Sequence, residues 1–382
     1  MKHKKIRAAA FLAAVMMTAS ASAALQNCTW CSQPLLAYAD GEGYTEGEIN
    51  GIYYMKFADH IEISSVKDSI TELTIPEKIE NLPVTKIGMY VGEFTGITSL
   101  TLPDTLTEIG AYAFSYCKQL KSLTLPDSME HVAFQAFEQC TSLSEINFPD
   151  HLVKTGAFTF DGTPWLEAQR KKDPLVIING AVVDGRSCKG EVTIPSSVKY
   201  LADGAFEKNK DVTSVVVPAS IKEIRASTFW YCDNLTSVEL NGAEHIDFGV
   251  FAACNKIKDI KISGNLKSID VRAFCDNDST ATITFYGTED TWNKVEKDAD
   301  DPFLKRAKMV FDPNGVPLDV TDDLPGDVND DKKVDKQDVT ALLNWLLTKP
   351  NATVTVWQQA DLDHDGALTA ADLTLLKQII IN

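Results

Sequence analysis

Leu123-Thr124-Leu125-Pro126 opens a segment that continues through Val132, Ala136-Phe137 and Cys140 to Leu143, and this segment recurs along the chain. Its proline returns at steps of 23 residues in two series, Pro103, Pro126 and Pro149, then Pro195 and Pro218. Its phenylalanine returns as Phe114, Phe137, Phe160, Phe206, Phe229, Phe251 and Phe274. A fixed period in this range is typical of a solenoid, in which each unit buries its apolar face only against its neighbours. We therefore predict a β-rich solenoid whose short Leu-x-Leu segments stack as one parallel sheet, each followed by an Ile-Gly-like turn.

This repeat resembles the BspA-like (Treponema-type) leucine-rich repeats of bacterial surface proteins. The resemblance places the repeats at residues 70–283, after an N-terminal segment and solenoid cap at 24–69. We expect a C-terminal cap at 284–311 and a polar, proline-containing linker at 312–324. Residues 163–190 break the period, and their hydrophobic run predicts an added hairpin.

The cysteines follow the repeat. Three residues after each repeat phenylalanine stand Cys117, Cys140, Thr163, Asn209, Cys232, Cys254 and Asn277. In leucine-rich repeats this column points inward and satisfies backbone groups of the turn, so we expect buried, reduced thiols rather than disulfides or metal ligands. Cys188 and Cys275 lie off the column, and their redox state stays open, as does that of Cys28 and Cys31.

The C-terminal part of the chain contains two copies of a calcium-loop pattern, 34 residues apart, at 327–338 and 361–372. Oxygen-bearing side chains stand at loop positions 1, 3, 5, 9 and 12, and position 7 offers a backbone carbonyl, which is the spacing that wraps Ca²⁺. The predicted ligands of two Ca²⁺ ions are Asp327, Asn329, Asp331, Lys333, Asp335 and Asp338, then Asp361, Asp363, Asp365, Ala367, Thr369 and Asp372. An acidic linker that matches by chance is the alternative, and the second copy argues against it.

Each loop runs into an apolar pattern with helical spacing. The apolar positions are Val339, Leu342, Leu343 and Leu346 in the first helix, and Leu373, Leu376, Ile379 and Ile380 in the second. The residues at loop position 8, Val334 and Leu368, are expected to pair the two loops back to back.

Two features separate these loops from an EF-hand. The last ligand is Asp rather than Glu, and no helix precedes the first loop, because Leu324-Pro325-Gly326 leads straight into Asp327. Both features resemble a type I dockerin, the module that attaches enzymes and other cargo to cohesin modules of a cellulosome scaffold. The resemblance covers 325–382 and implies a small all-α module, calcium-dependent folding and a cohesin partner.

In type I dockerins the residues at loop positions 10 and 11 often face the cohesin. In this chain they are Lys336, Gln337, Ala370 and Ala371. One position departs from the pattern: Lys332 stands at position 6, where the tight turn favours a glycine such as Gly366. This difference predicts unequal calcium sites.

Residues 1–23 have the pattern of a secretory signal, with a basic start, an apolar core at 8–17 and the small-residue site Ala21-Ser22-Ala23. The apolar core is too short for a lasting membrane span. We therefore expect an exported bacterial protein without membrane insertion, at the cell surface or in a cellulosome. The net charge of −18 argues against nucleic acid as a partner.

The sequence contains no nucleophile elbow, zinc-protease motif or phosphate-binding glycine loop. We predict a non-catalytic binding protein whose repeats contact a protein or a plant-wall polymer. The alternative is a polysaccharide-degrading enzyme (glycoside hydrolase), since many dockerin-bearing chains are such enzymes. The candidate contact surfaces are a hydroxyl-rich row of the sheet and a ridge formed by Tyr116, Trp230 and Tyr231, for which edge packing between repeats is the alternative.

Overall fold

The computed structural model describes residues 43–313, 326–329, 333–347, 349, 354, 360, 362 and 368–381. The chain divides into two compact units, Met1–Thr45 and Glu46–Asn382. The first strand, β1 (Thr45–Ile49), begins at that division, and the rest of the description concerns the second unit. The predicted signal segment lies outside the described residues.

A row of parallel strands is formed by the Leu-x-Leu segments and their equivalents. They are β4 (Glu72–Thr74), β7 (Ser99–Thr101), β9 (Ser122–Thr124), β11 (Glu145–Asn147), β15 (Gly190–Thr193), β17 (Val212–Val217), β19 (Ser237–Leu240), β21 (Asp259–Ser263), β23 (Thr282–Tyr286) and β24 (Lys308–Phe311). Equivalent residues pair across one repeat, as Leu123 does with Ile146. Both of these side chains are buried, whereas Ser122 and Thr124 are exposed, because side chains alternate between the two faces of a strand. The predicted solenoid of stacked parallel strands is confirmed.

The prediction of one sheet is wrong, because the segments expected to be turns form a second row of strands. These are β6 (Leu82–Ile87), β8 (Glu108–Ile109), β10 (His131–Val132), β12 (Lys154–Thr155), β14 (Ala181–Asp184), β16 (Tyr200–Leu201), β18 (Glu223–Ile224), β20 (His245–Ile246) and β22 (Ser268–Ile269). In this row Val132 pairs with Ile109, and both side chains are buried. The strands of the first row also fall into separate sheets, β4–β7, β9–β11 and β15 to β24. Outside the insertion, neighbouring coils are therefore joined by strand pairing in one row or in both.

Antiparallel strands precede the first full coils. The additional strands are β2 (Ile52–Lys56), β3 (Ile61–Val66) and β5 (Lys78–Ile79). Strands β2 and β3 form an antiparallel pair, and β3 then pairs in parallel with β6. The second row of the solenoid thus continues from this pair through β6, β8, β10 and β12.

The segment that breaks the period adds a helix and a hairpin. Helix α1 (Pro164–Lys172) starts after Thr163, whose Oγ1 accepts a hydrogen bond from the Leu166 N–H at 3.2 Å. The predicted hairpin is confirmed: β13 (Val176–Ile178) pairs antiparallel with β14. The helix and the end of the hairpin are joined by Arg170, which donates to the buried carboxylate of Asp184 at 2.9 Å.

The repeat phenylalanines form ring stacks through the solenoid core. Phe114 stacks on Phe137 with 5.6 Å between ring centroids, and Phe137 stacks on Phe160 at 6.0 Å. Beyond the insertion, the stack continues through Phe206, Phe229, Phe251, Phe274 and Phe303. The rings fill the interior between adjacent coils, so the burial of apolar surface holds neighbouring coils together.

The last stacked ring belongs to a helix rather than to a repeat. Phe303 lies in α3 (Pro302–Arg306) and packs against Phe274 with 4.6 Å between centroids. A shorter helix, α2 (Glu289–Trp292), precedes α3, and strand β24 follows it. Helices α4 (Lys336–Leu346) and α5 (Ala370–Ile381) complete the described elements. Among the described residues, no helix is both long and apolar enough to cross a membrane.

Left-handed residues flank the repeat phenylalanines from Phe114 to Phe251, and one follows Phe274 at Asp276. Tyr112 has φ +57° and Tyr116 has φ +60°, two residues before and two residues after Phe114. The N–H groups of all three donate to carbonyls one coil further on, at 3.0, 2.7 and 2.8 Å for Tyr112, Tyr116 and Phe114 respectively. Left-handed φ costs a non-glycine residue roughly 1–2 kcal/mol, and these hydrogen bonds offset the cost.

The cysteine column is confirmed. The Cys140 Sγ donates to the Phe114 carbonyl at 3.2 Å, and the Cys254 Sγ donates to the Phe229 carbonyl at 2.9 Å. Asn209 serves the same purpose, since its Nδ2 donates to the Gly185 carbonyl at 3.0 Å. Free thiols are found at Cys117, Cys140, Cys188, Cys232, Cys254 and Cys275. Burial raises the pKa of Cys254 to about 12, so this thiol stays protonated and remains a donor.

Phe137→Ala should destabilise the protein far more than Cys140→Ser. Loss of the stacked ring leaves a cavity between two coils, which costs about 3–5 kcal/mol. Serine keeps a donor for the carbonyl of the preceding coil, so we expect a loss of about 1 kcal/mol. Urea unfolding followed by tryptophan fluorescence compares the two variants, and equal losses would contradict the stacking account.

Candidate calcium loops and contact surfaces

The first loop is closed by a buried carboxylate at its twelfth position. Asp338 lies in the first turn of α4, and its Oδ1 accepts from the Val328 and Asn329 N–H groups at 2.8 and 3.2 Å. Its Oδ2 accepts from the Asp335 N–H at 2.8 Å. Asp335 caps the same helix by accepting from the Gln337 N–H at 2.7 Å. One side chain thus joins the start of the loop to the start of the helix.

The second loop repeats this arrangement 34 residues later. Asp372, which is also buried, accepts from the Leu362 N–H through Oδ1 and from the Thr369 N–H through Oδ2, both at 2.8 Å. Thr369 takes the place of Asp335 and accepts from the Ala371 N–H at 3.0 Å. The backbone geometry at the ends of the two loops is therefore equivalent.

The structure describes part of the predicted ligand set. The described positions are Asp327, Asn329, Lys333, Asp335, Asp338, Thr369 and Asp372. The positions outside the described residues are Asp331, Asp361, Asp363, Asp365 and Ala367, together with Lys332 and Gly366 at the two tight turns. Over the part of the chain that the structure describes, no group of three or more His, Cys, Asp or Glu side chains is placed to hold a metal ion.

The residues present in the first loop fit a calcium ion. Asp327 and Asp338, at its first and last positions, are both fully buried carboxylates. Every side-chain ligand predicted in either loop donates through oxygen. Oxygen donors at this spacing suit a hard cation such as Ca²⁺, and a cation lowers the cost of burying two negative charges.

A small apolar core lies beneath the loops. Its buried members are Val328, Leu342, Ala360, Leu368, Leu373 and Leu376. Val334 packs against the same core, so the two position-8 residues do share it as expected. Gly326 has φ +103°, and a Cβ there would come within 2.7 Å of the Leu376 Cδ1. Glycine is therefore required where the chain enters the first loop.

The apolar patterns of the two helices are only partly buried. Leu343 and Ile379 were expected on the inner faces, yet they are 37% and 46% exposed. The small core beneath the loops buries only a narrow stripe of each helix surface. The four residues expected to face a cohesin, Lys336, Gln337, Ala370 and Ala371, are all exposed in the first turns of α4 and α5.

The solenoid offers a polar face and an aromatic edge. The polar face carries Ser122 and Thr124 beside Glu145 and Asn147, all exposed. At the edge, the rings of Trp230 and Tyr231 lie 5.3 Å apart, and Tyr231 is 41% exposed.

Sequence reasoning missed one residue of this edge. Phe94 stacks on Tyr116 with 4.6 Å between ring centroids. Phe94 was missed because Gly92 occupies the position at which the repeat period predicts a phenylalanine. The first coil therefore lacks the residue that marks the other coils. The signal that could have identified this coil is Thr95, which lies 22 residues before Cys117 in the same inward column. The Thr95 Oγ1 donates to the Gly92 carbonyl at 2.6 Å.

A second missed residue is the half-buried Glu93. Burial, together with the negative charge of Glu138, raises its pKa to about 7 from an ordinary value of 4.5. Its Oε1 is buried and has no hydrogen-bond partner among the described residues. Glu93 follows Gly92 directly. Its position is equivalent to those of Ser115 and Glu138 in the next two coils.

The stability that Glu93 contributes should fall as pH rises from about 4.5 to about 7, and Glu93→Gln should remove that part of the pH dependence. A carboxyl whose pKa is raised in the folded state contributes stability below its ordinary pKa of 4.5 and loses it as pH rises through about 7. Melting temperatures measured from pH 4 to pH 8 test this, with Glu72→Gln on the exposed surface of β4 as the control for loss of one charge. The same slope in wild type and Glu93→Gln would contradict it.

Two family models agree with this architecture. The family model described as BspA type leucine-rich repeat region matches residues 63–181 and 185–296, and the model of the type I dockerin domain matches residues 325–381. Among solved structures, a leucine-rich repeat protein of T. pallidum is 25% identical, with 56% of this chain and 91% of that chain covered and a TM-score of 0.33. A leucine-rich cell surface protein of Faecalibacterium prausnitzii is 19% identical, covering 68% and 99% of the two chains with a TM-score of 0.32. No protein of curated function matches the chain.

Proposed function

Because the chain belongs to the BspA-type leucine-rich repeat family and ends in a type I dockerin, we propose that it is a secreted, non-catalytic binding protein. Type I dockerins bind calcium and attach to cohesins of cellulosome-like assemblies, and leucine-rich repeats bind proteins. Both modules are typical of extracellular or cell-surface bacterial proteins. In this proposal the dockerin, at 325–382, docks the chain on a scaffold, and the solenoid presents its surface to a protein or a plant-wall polymer.

The observation that carries the docking proposal is the equivalent closure of the two loops by Asp338 and Asp372. We assign one Ca²⁺ site to each loop, with the twelve ligands predicted from the sequence. Bound calcium would supply the positive charge that offsets repulsion among the clustered carboxylates. Since the core beneath the loops is small, calcium binding energy should appear as folding energy.

Lys332→Gly should tighten the first calcium site about fivefold. Position 6 of the loop favours left-handed φ, which glycine reaches freely and lysine reaches at a cost of roughly 1 kcal/mol. Lys332→Ala is the matched control, because it removes the same charge but keeps the Cβ that disfavours left-handed φ. Calcium titration calorimetry measures both sites, and the second loop serves as an internal reference. No gain from Lys332→Gly, or an equal gain from Lys332→Ala, would contradict the assignment.

The two helices offer a cohesin different surfaces. On α4, Lys336 and Gln337 are followed on the exposed surface by Leu343 and by Leu347, which is 57% exposed. On α5, the residue equivalent to Leu343 is Lys377. An apolar exposed surface buries more favourably against a partner than a charged one does. The difference between Leu343 and Lys377 supports docking through α4 in one preferred orientation, although α5 also exposes Ile379.

Replacing Lys336 and Gln337 together with alanine should weaken cohesin binding at least tenfold. Replacing Ala370 and Ala371 together with bulky residues should leave binding nearly unchanged. Calorimetry against a panel of cohesins, in saturating calcium, compares the two double variants with wild type. Equal losses from both pairs would show two usable orientations, and no loss from either would place the interface elsewhere.

A polysaccharide hydrolase is the second candidate, and Glu93 is the observation that favours it. A carboxyl with a pKa of about 7, near a second acid such as Glu138, resembles a general acid in a carboxylate pair. The sequence supplies no other catalytic motif, and the repeats occupy the cargo part of the chain. We therefore rank binding ahead of hydrolysis.

Incubation of the purified protein with xylan, cellulose and pectin separates the two candidates. The binding proposal predicts no release of reducing sugar from any of them. Turnover that disappears in Glu93→Gln, while the variant stays folded and still binds cohesin, would establish the hydrolase instead. Glu72→Gln again controls for the change in charge.

A further inference from the structure

We propose that a notch on the first coil binds a pyranose ring of a polysaccharide. The notch has a volume of about 300 Å³ and is lined by Phe94, Thr95, Gly96, Tyr116, Lys118 and Gln119. The inference rests on the proposed function, in which the solenoid presents a polymer-binding surface, and it assigns a ligand class to one place on that surface.

A stacked aromatic pair forms the platform of the notch. The rings of Phe94 and Tyr116 are nearly parallel, with 4.6 Å between centroids and 21° between planes. Phe94 remains 61% exposed. An exposed, flat apolar surface of this kind can cover the C–H face of a sugar ring, and burial of that surface favours binding.

The ring of Phe94 adds little to the core of the coil. Its φ of +57° is shared by Tyr116 (+60°) and Tyr231 (+57°) at the equivalent positions, and its N–H donates to the Ser115 carbonyl at 3.0 Å, which offsets the cost of that conformation. Glycine is accepted at the equivalent position of a later coil, where Gly162 has φ +73°. A ring that is 61% exposed returns little apolar burial to the fold, so contact with a ligand is the better explanation for an apolar side chain at this position.

The notch has the size and the polar groups that a sugar needs. A Cβ added at Gly96 would meet nothing within 4 Å, so the notch is open at this point. The volume lies at the lower end of ligand pockets and leaves room for about one or two sugar rings. Lys118 and Gln119 are exposed hydrogen-bond donors in the lining, and the Lys118 Nζ lies 5.9 Å from the Tyr116 ring centroid. Sugar hydroxyls accept from such donors while the ring packs on the aromatic surface.

The charge of the lining predicts different binding of neutral and acidic sugars. Lys118 is the one charged residue among the six that line the notch. A uronic acid carries a carboxylate that can pair with this ammonium group, whereas a neutral pyranose can use only its hydroxyls. Acidic and neutral sugars are therefore distinguished by whether Lys118 contributes to their binding.

The test measures binding of defined oligosaccharides to the full chain in calcium by titration calorimetry. The probes are xylohexaose, cellohexaose and mannohexaose as neutral chains and hexagalacturonate as the acidic chain. Phe94→Gly removes the platform and relieves the left-handed strain, and Gly96→Leu fills the notch without removing any lining side chain. Both variants should weaken binding of the accepted sugar at least tenfold, without lowering the melting temperature. Lys118→Gln should weaken hexagalacturonate binding and leave neutral chains nearly unaffected.

Tyr231→Gly is the matched control, since Tyr231 is an exposed aromatic residue with φ +57° outside the notch. It should leave sugar binding unchanged. The proposal is overturned if no oligosaccharide binds, or if Tyr231→Gly weakens binding as much as Phe94→Gly does. Cohesin binding by the same variants tests the proposed docking function separately, so failure of the sugar site and failure of that function give different results.

Discussion

Each coil of the solenoid can bury its apolar side chains only against the coil before it and the coil after it. The stacked rings of Phe114, Phe137 and Phe160 meet this constraint in the first half of the chain. The insertion that contains α1 interrupts the stack, and Phe303 takes the final place in it from a helix. Stability is then a sum over neighbouring coils, so a defect in one coil weakens both of its interfaces.

The same constraint determines where function can arise. The core column is occupied by the phenylalanines and by donors such as Cys140, which satisfy carbonyls of the preceding coil. Side chains of the left-handed turns point away from that core, and their positions accept residues as different as Tyr116 and Gly162. The edge of the solenoid is therefore free to carry contact residues, and Phe94 is the most exposed aromatic residue found there.

The repeat period predicted the solenoid, the inward column of Cys140 and the hairpin, because each depends on residues that recur or break a pattern. It could not predict the second row of strands, since a two-residue strand such as His131–Val132 is too short to show an alternation. Gly92 concealed the coil that carries Phe94. In the dockerin, loop spacing named Asp338 as a ligand, but the hydrogen bonds that its oxygens accept from Val328 and Asp335 depend on the folded backbone.

The central claim is that the solenoid folds without calcium through contacts between neighbouring coils, whereas the dockerin folds through calcium. Differential scanning calorimetry of the full chain in calcium and in chelator tests it most directly. The account predicts two transitions in calcium, of which chelator removes the dockerin transition and leaves the solenoid transition at the same temperature. A single transition that shifts as a whole, or a dockerin transition that persists in chelator, would contradict it.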